Sequence, residues 1–339
     1  MREVGEQCAS IRHSNSVPST KSVLEVLQKC EQIASTFVSR ERELAAGAID
    51  KGNSTSSLLD LEEDTNSKQR RPSSSSKPLA ARGRKGDLPR QLSQITTALL
   101  KDDKVYITLD VLHSYTKIET TLKRAKGLPE IFRLFANKPV PKENSSPPEY
   151  SKAKPKAMGS AVPTPIAAMA LDVAIEQRNL PLVSRIIDTT FATPAFYRAR
   201  LVTRTTLPAL GLAISPFAAY GIADWAASVQ NTMEPSTAKG ITLAAILAYI
   251  GVTTSTGFVA VTTANDHMER VVWIPGTPLR ERWLRDAERQ AWDKVACAWG
   301  FKDPYLRGEE EGEDWEDLRE EIGMRGMLLD KTELLPGME

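Results

Sequence analysis

Residues able to do acid-base, metal or nucleophilic chemistry are few and scattered in this chain of 339 residues. Its histidines and cysteines lie far apart, and none has the spacing of a zinc site, a catalytic nucleophile or a disulfide framework. They are His13, His113, His267, Cys8, Cys30 and Cys297. These types and spacings predict no catalytic residue, no metal site and no disulfide.

The acidic residues suggest no acid-base pair either. Carboxylate pairs such as Glu62 with Glu63 lie in polar runs, without the apolar surroundings that would raise a carboxyl pKa. The acidic run 309–317 lacks the ligand spacing of a calcium loop and predicts the solvated start of a helix with Leu318 and Ile322 inward. Glycine-rich phosphate loops are missing. We therefore expect no enzyme, no cofactor and no small-molecule substrate.

Overall charge identifies no partner, because 44 basic and 43 acidic residues leave a net charge of +1. The mean hydropathy of −0.30 conceals two uncharged apolar stretches, Thr205 to Ala223 and Gly240 to Asn265. About 20 helical residues cross a hydrocarbon core about 30 Å thick, so both are long enough to span a membrane. The alternative is a pair of helices buried in a soluble core. Pro208 and Pro216 would kink the first span without excluding it.

Small residues recur on single faces of the two spans and predict packing of the hairpin on itself or on another membrane protein. They are Gly211, Ser215 and Ala219 in the first span, and Ala244, Ala248, Gly251 and Ser255 in the second. The simpler interpretation is that small residues are common in membrane helices. An intramembrane charge, the usual sign of an ion or proton path, is missing from both spans and argues against a pump or carrier.

Arginines beside the spans predict their orientation. They are Arg198, Arg200 and Arg204 before the first span, and Arg270, Arg280, Arg282 and Arg285 after the second. The connecting loop, Asp224 to Lys239, holds one basic residue. Both chain ends should therefore lie on the positive side, which in a mitochondrial inner membrane is the matrix, with Trp225 at the outer interface.

The remaining pattern is all-α, with a helical-hairpin soluble part, a two-helix transmembrane hairpin and a small helical C-terminal segment. The predicted segments are 1–46 with an amphipathic helix, 47–87 as a disordered basic, serine-rich linker, 88–139 as a helical hairpin, 140–162 as a Pro/Lys linker, 163–204 as a second helical pair, 205–265 as the transmembrane hairpin and 266–339 as a Trp-rich helical segment. The amphipathic helix, Ser22 to Ala46, is compatible with a short coiled coil or with docking on the chain's own core. The basic linker could touch RNA or anionic lipid, or simply be solvated.

The first helical hairpin has clear start signals. Thr108 is a predicted N-cap for a helix beginning at Leu109, and Pro129 fits the first turn of a helix beginning at Leu128. The stretch from Tyr106 to Ala136 resembles one pentatricopeptide-type repeat. A second helical pair meets at Asn179. A stack of helical pairs normally needs about three pairs to be stable, and the sequence shows two. The soluble part is therefore expected to need contacts with a partner or with the membrane domain for its stability.

The C-terminal segment is rich in tryptophan. Thr277 is a predicted N-cap for a helix from Pro278 to Trp299, and alternating charges along that helix predict a solvated surface. Its tryptophans are compatible with a small core, a membrane-interface anchor or a partner surface, and they are Trp273, Trp283, Trp292, Trp299 and Trp315.

The order of these features resembles a group of fungal mitochondrial membrane proteins over roughly residues 90–339. The resemblance rests on the stretches 261–270, 273–285 and 298–301, taken with the helical pairs and the spans. It implies a mitochondrial inner-membrane location, and neither an activity nor functional residues. The N-terminus has the Arg and Ser content of a mitochondrial presequence, although Glu3 and Glu6 count against one, and it lacks the apolar run of a secretory signal.

Two functions remain open at this stage. The first is a membrane organising protein that holds matrix-side partner proteins. The second is a membrane-anchored RNA-binding factor for mitochondrial gene expression, which is less favoured because base-by-base recognition of RNA needs a run of repeats. In both cases membrane lipid is a predicted partner.

Overall fold

The computed structural model describes residues 2–14, 17–52, 87–141, 150–263 and 269–330. About 74% of the chain is helical and about 4% is in strands, which confirms the all-α fold class. The chain divides into two compact units, one made of Met1–Lys154 with Ala168–Ala174, and the other of Pro155–Ala167 with Ile175–Glu339.

The N-terminal unit is a helical bundle with one short strand pair. Its elements are α1 (Arg2–His13), α2 (Thr20–Gly52), α3 (Asp87–Lys101), α4 (Leu109–Thr121), α5 (Leu128–Asn137), β1 (Val140–Pro141) and β2 (Tyr150–Ser151), and it also includes the middle of α6 (Thr164–Glu176). The predicted amphipathic helix is confirmed as part of α2. It packs mainly against α4, and Val23, Leu27 and Cys30 are buried, so its apolar face docks on the chain's own core.

The predicted start of α4 is also confirmed. The Thr108 hydroxyl accepts a hydrogen bond from the Val111 amide at 3.4 Å, and Leu112, Tyr115 and Ile118 are fully buried. The helix ends in a turn where the Arg124 amide donates to the Glu119 carbonyl at 2.8 Å. Helices at 109–121 and 128–137 thus exist as expected, while their likeness to a pentatricopeptide repeat stays a prediction.

The two predicted linkers need correction at their edges. Helix α2 continues through Gly52, so the first six residues of the 47–87 segment are helical. Residues 53–86 and 142–149, which hold most of the first linker and part of the second, lie outside the described residues. In the second linker Val140 pairs with Ser151 in the antiparallel β1–β2 ladder. Alternation over two residues is too short for a sequence pattern to reveal a strand.

The C-terminal unit contains the ends of α6 and the longest described helix. Its other elements are α7 (Leu180–Thr189), α8 (Pro194–Val229), α9 (Pro235–Thr263), β3 (Val271–Trp273), α10 (Leu279–Trp299), α11 (Glu313–Met324) and β4 (Met327–Leu329). Helix α7 begins directly after the predicted junction at Asn179, and Asn179 also caps it, since its side-chain oxygen accepts the Leu182 amide at 3.0 Å. Strand β4 pairs with β3 in antiparallel register, with Val271 opposite Leu329.

Two predictions for α10 were wrong. Thr277 does not cap the helix, because the Thr277 hydroxyl donates to the Ile274 carbonyl and Pro278 occupies the N-cap position. The helix surface is not uniformly solvated either, since Glu288, Arg289 and Asp293 are buried. A buried charge keeps its place only when it is paired and hydrogen-bonded, which identifies these side chains as structural.

Candidate functional site: an apolar hairpin and the arginine cluster at its base

Helices α8 and α9 form an antiparallel hairpin joined by the short loop 230–234. The Gln230 side-chain oxygen accepts the Thr232 and Met233 amides at 3.0 Å and so organises the loop. Next to the loop, the Lys239 ammonium of α9 lies 2.6 Å from the Asp224 carboxylate of α8 and 3.9 Å from the Tyr220 ring centroid. These contacts hold the two helices together at the loop end of the hairpin.

The seam between the helices is built on alanine. Ala219, Ala223 and Ala227 of α8 are buried at four-residue intervals, and Ala238 of α9 is buried opposite them. Half-buried residues continue the α9 side at the same interval. They are Thr242, Ile246 and Ile250. Small side chains let two helix backbones approach closely, so this seam is a tight helix contact of the kind found in lipid.

The small residues singled out from the sequence fall on different sides of the hairpin. In α8, Ala219 lies in the seam, Ser215 at its edge, and Gly211 in open space. In α9 all four lie exposed. They are Ala244, Ala248, Gly251 and Ser255. Successive residues of a helix are about 100° apart, which puts these four residues on the side of α9 opposite the seam. Packing of the hairpin on itself therefore uses other residues of α9. Packing of that stripe on another membrane protein stays a prediction.

Large apolar side chains cover the outside of both helices. Leu207 and Phe217 are each 78% exposed. Others of this kind are Leu210, Ile214, Trp225, Tyr249, Val252 and Phe258. Soluble proteins rarely expose contiguous apolar surface of this extent. The alternative of two helices buried in a soluble core is therefore not what the fold shows.

Within the described parts of the chain, three segments, rather than the two predicted, have the length and apolar composition needed to cross a membrane. They are Met158–Glu176, Pro194–Val229 and Pro235–Ala260. The additional segment differs from the hairpin, because 44% of its most apolar window is buried inside the protein, against 11% and 0% for the other two. Apolar composition alone does not distinguish a helix buried in protein from one exposed to lipid, and the helical spacing of its apolar residues places α6 in the second predicted helical pair.

Polar contacts fasten the first turns of α8 to α10 at the base of the hairpin. The Arg200 guanidinium lies 2.7 Å from the Asp286 carboxylate, which also pairs with Arg289 at 3.0 Å. One helical turn earlier, the Tyr197 hydroxyl donates to the Glu288 carboxylate at 3.0 Å. Arg200 is buried, so it belongs to a protein interior although the sequence pointed to it as a charge flanking the span.

Behind this contact lies a cluster of buried arginines stacked on tryptophans. Arg270 is fully buried, donates to both Asp330 carboxylate oxygens at 2.8 and 2.6 Å, and pairs with Glu310 at 2.7 Å. Its guanidinium lies 4.6 Å from the Trp315 ring centroid. Bidentate pairing and ring stacking are properties of arginine that lysine lacks. Burial tends to lower the pKa of Arg270, but these partners outweigh it and raise that pKa.

Arg325 organises the other half of the cluster. It pairs with Asp188 of α7 at 2.7 Å, with Glu288 of α10 at 3.3 Å and with Glu321 of α11 at 2.8 Å, above the Trp292 ring. One side chain thus ties three helices together. The cluster was missed at the sequence level because its partners are distant along the chain. The only local signal was the recurrence of arginine and tryptophan.

Comparison with protein-family models, curated proteins and solved structures finds no match. The site must therefore be interpreted from its own geometry.

The tryptophans proposed as a partner surface divide into two groups. Trp273 and Trp292 are buried and belong to the core of the C-terminal unit. Trp283 and Trp299 are half-buried, and Trp299 donates its indole N–H to the Ile175 carbonyl at 3.1 Å. A partner-surface role stays a prediction for these two. Trp315 is also buried and is central to the arginine cluster.

The cysteines and histidines form no reactive or metal-binding group in the described part of the chain, although Cys8 and Cys30 are both buried in the N-terminal unit. His267 lies outside the described residues, and the described ones include no group of three or more metal-binding side chains placed to hold an ion. Burial raises the pKa of Cys30 to about 12, and burial with nearby Asp293 and Glu269 does the same for Cys297. Neither thiol is ionised at neutral pH, so neither is an activated nucleophile.

Proposed function

We propose that this chain is a non-enzymatic protein of the mitochondrial inner membrane. A two-helix hairpin anchors it, with both chain ends in the matrix, and its matrix-side helices hold protein partners. The observation that carries the proposal is the contrast along one helix. The first turns of α8 are tied to α10 by the Arg200–Asp286 ion pair and the Tyr197–Glu288 hydrogen bond, and the rest of α8, with α9, exposes apolar side chains.

Lengths and burial favour two spans. Only 13 of the 19 residues of the candidate segment Met158–Glu176 are α-helical, as α6, and at about 1.5 Å per residue they reach about 20 Å, less than the roughly 30 Å of a hydrocarbon core. Helices α8 and α9 have 36 and 29 residues and exceed that thickness. Much of the apolar surface of α6 is already buried in protein. Insertion of α6 into lipid would therefore remove less apolar surface from water than insertion of α8 or α9.

Flanking charge supports the matrix orientation. Of the seven arginines beside the spans, Arg200, Arg270 and Arg285 make ion pairs within the C-terminal unit. The other four still outnumber the one lysine near the loop, and the positive-inside rule counts Lys and Arg regardless of nearby carboxylates. The mitochondrial assignment itself rests on the resemblance described above.

An anchoring and organising role suits a hairpin with uncharged spans. Transporters and pumps place acidic, basic or histidine side chains within their spans, and this chain has none between Thr205 and Ala223 or between Gly240 and Asn265. Ion pairs of Arg325 and Arg270 hold the helices of the C-terminal unit together at the hairpin base. This part of the chain would lie next to the membrane, where a partner protein can bind. RNA binding is the second candidate, supported by one repeat-like hairpin and a basic segment, most of which lies outside the described residues.

Crosslinking in intact mitochondria tests the proposal. The tagged full-length chain is expected to recover specific proteins and no RNA. A Phe217→Arg variant places a charge on the lipid side of the first span, which costs about 2.5–3.5 kcal/mol of insertion near the centre, and should lose these partners. Phe217→Leu is the matched control and should keep them.

Recovery of RNA, with an affinity that falls steeply as salt rises, would establish the RNA-binding alternative instead. Equal recovery of the same proteins by Phe217→Arg in the soluble fraction would show that anchoring is not required for the role.

A further inference from the structure

Helix α10 lies where the hairpin is expected to meet the membrane surface. It contacts both α8 and α9, and its ion pair with α8, between Arg200 and Asp286, is five residues before the apolar stretch that begins at Thr205. Five helical residues measure about 7 Å, and the headgroup layer on each side of a hydrocarbon core is about 5–8 Å thick. With the hairpin inserted, this contact therefore lies at the depth of the lipid headgroups.

Three arginines close to this contact carry charges that the fold does not neutralise. Arg204 is one turn beyond the contact on α8, and Arg282 and Arg280 are between one and two turns from it on α10. Arg204 and Arg280 are exposed and have no hydrogen bond or ion pair within the described part of the chain. Arg282 donates its Nε to the Thr277 carbonyl at 2.9 Å, and its terminal nitrogens have no partner among the described residues.

The carboxylates near these arginines are already engaged. Asp286 and Glu288 each pair with two other arginines of the C-terminal unit. The exposed Glu281 balances at most one of the three free charges. Burial lowers the pKa of Arg200, and the neighbouring Arg204 charge lowers it further, against the raising effect of Asp286. An excess of positive charge thus remains beside the contact and attracts an anion.

Exposed apolar side chains lie next to these arginines along both helices. Leu201 and Val202 precede Arg204 and are 43% and 41% exposed, and Leu279 precedes Arg280 and is 45% exposed. A ligand with an anionic head and hydrocarbon chains uses both kinds of side chain. A nucleic acid or an acidic peptide would use the arginines and leave these apolar side chains in water.

We propose that the base of the hairpin binds the headgroup of an anionic phospholipid. The guanidinium groups of Arg204, Arg280 and Arg282 donate to the phosphate oxygens, and the exposed apolar side chains beside them contact the start of the acyl chains. The half-buried Trp283 of α10 lies at the same interface, where indole rings are favoured. The inference rests on the proposed membrane anchoring and adds the class of lipid that the anchor recognises.

Native mass spectrometry of the full-length protein in a neutral detergent tests the inference. Phosphatidylglycerol should bind about tenfold more tightly than phosphatidylcholine with the same acyl chains, because only the first carries a net negative charge. The double variant Arg204→Gln/Arg280→Gln should lower the affinity for phosphatidylglycerol about five- to tenfold, the loss expected for two exposed charge pairs. Its affinity for phosphatidylcholine should not change.

Two further double variants separate recognition from general charge. Lys302→Gln/Arg319→Gln removes two exposed positive charges away from the hairpin base, since Lys302 follows the far end of α10 and Arg319 lies on α11, which packs on α7 and β4. This control should keep the affinity for phosphatidylglycerol within about twofold of wild type. Arg204→Lys/Arg280→Lys keeps the charge and should lose only about two- to threefold, because lysine cannot pair in bidentate fashion. Helical circular dichroism should be the same in all variants.

Equal affinity of the wild-type protein for the two lipids, equal weakening by both glutamine double variants, or displacement of the lipid by inorganic phosphate would overturn the inference. The membrane test is separate. Carbonate-resistant insertion without a preference for phosphatidylglycerol would refute the lipid site alone. The same preference in a protein that carbonate releases would refute the spanning hairpin alone.

Discussion

Gly300 leaves almost no space beside the buried Arg270. A Cβ atom at Gly300 would lie 1.7 Å from Arg270 Nη1 and 2.7 Å from Glu310 Oε1. The glycine is therefore required by a close approach, because its φ of −84° is open to any residue. A side chain at this position must displace the Arg270 ion pairs.

Gly300→Ala is expected to destabilise the C-terminal unit by about 3 kcal/mol, since it overpacks a fixed interior and disturbs a buried ion pair. Hydrogen–deuterium exchange of β3 and β4 in the full-length protein measures the effect. Gly323→Ala is the control. A Cβ at Gly323 meets nothing within 4 Å, so this change should be neutral or stabilise α11 by up to about 1 kcal/mol. Equal exchange in the two variants would contradict the account of Arg270.

Glu119 is a second residue with a measurable consequence. It is fully buried in α4, and its Oε1 has no hydrogen-bond partner among the described residues, while Oε2 accepts the Ser93 hydroxyl at 3.0 Å. Burial raises the pKa of Glu119 to about 7, against the lowering effects of the Ser93 hydrogen bond and Arg124. The folded state thus holds the proton more tightly than the unfolded state does.

Because this folded-state pKa is raised, the N-terminal unit should lose stability as pH rises from about 4.5 to about 7. The difference between about 7 and the ordinary 4.5 corresponds to about 3 kcal/mol. Glu119→Gln should remove this fall, and Glu130→Gln, which changes an exposed partner of Lys101, should retain it. Hydrogen exchange of α2 and α4, corrected for the intrinsic effect of pH, follows the profile. If the stability of Glu119→Gln fell with pH as the wild type does, the loss of stability would come from another titrating group.

At the scale of elements, the α8–α9 seam determines how the hairpin holds together. Ala223→Leu would insert a large side chain where the two backbones approach, and overpacking of this kind costs about 1–3 kcal/mol. We expect a melting temperature several degrees lower in detergent micelles, measured by loss of helical circular dichroism. Ala248→Leu makes the same change on the exposed side of α9 and should melt like the wild type. Similar melting of both variants would place the helix contact elsewhere.

Elements set by local pattern were predictable from the sequence. The start of α4 followed from the Thr108 hydroxyl that caps it, the start of α7 from Pro181 in its first turn, and the buried side of α2 from apolar spacing. The pairing of β3 with β4 was not predictable from the sequence, because each strand is only three residues long and the two are far apart along the chain. The α9 side of the seam was missed because a stripe of small residues does not indicate which face meets a neighbour.

The arginine cluster was not predictable from the sequence, because its partners are also far apart along the chain. Arg270 and Asp330 are 60 residues apart, and Asp293 accepts the Arg270 and Val271 amides from 23 and 22 residues away. Charged residues alternating along α10 are typical of a solvated surface, and only the positions of their distant partners show that some are buried. The charge flanking a span can thus serve the fold as well as the topology, as Arg200 does.

At the scale of the whole molecule, the number of spans decides where the chain ends lie. Two spans leave both ends on one side of the membrane, and a third span through Met158–Glu176 would put them on opposite sides. The orientation of the loop at 230–234 follows from the same count. A single topology measurement therefore tests anchoring, span number and orientation together.

That measurement is alkaline carbonate extraction of mitochondria followed by protease treatment from each side, with tags at both termini and a protease site in the loop 230–234. The account predicts a carbonate-resistant protein, cleavage of the loop from the intermembrane space, and protection of both tags until the matrix is opened. Release by carbonate, or tags found on opposite sides, would contradict it.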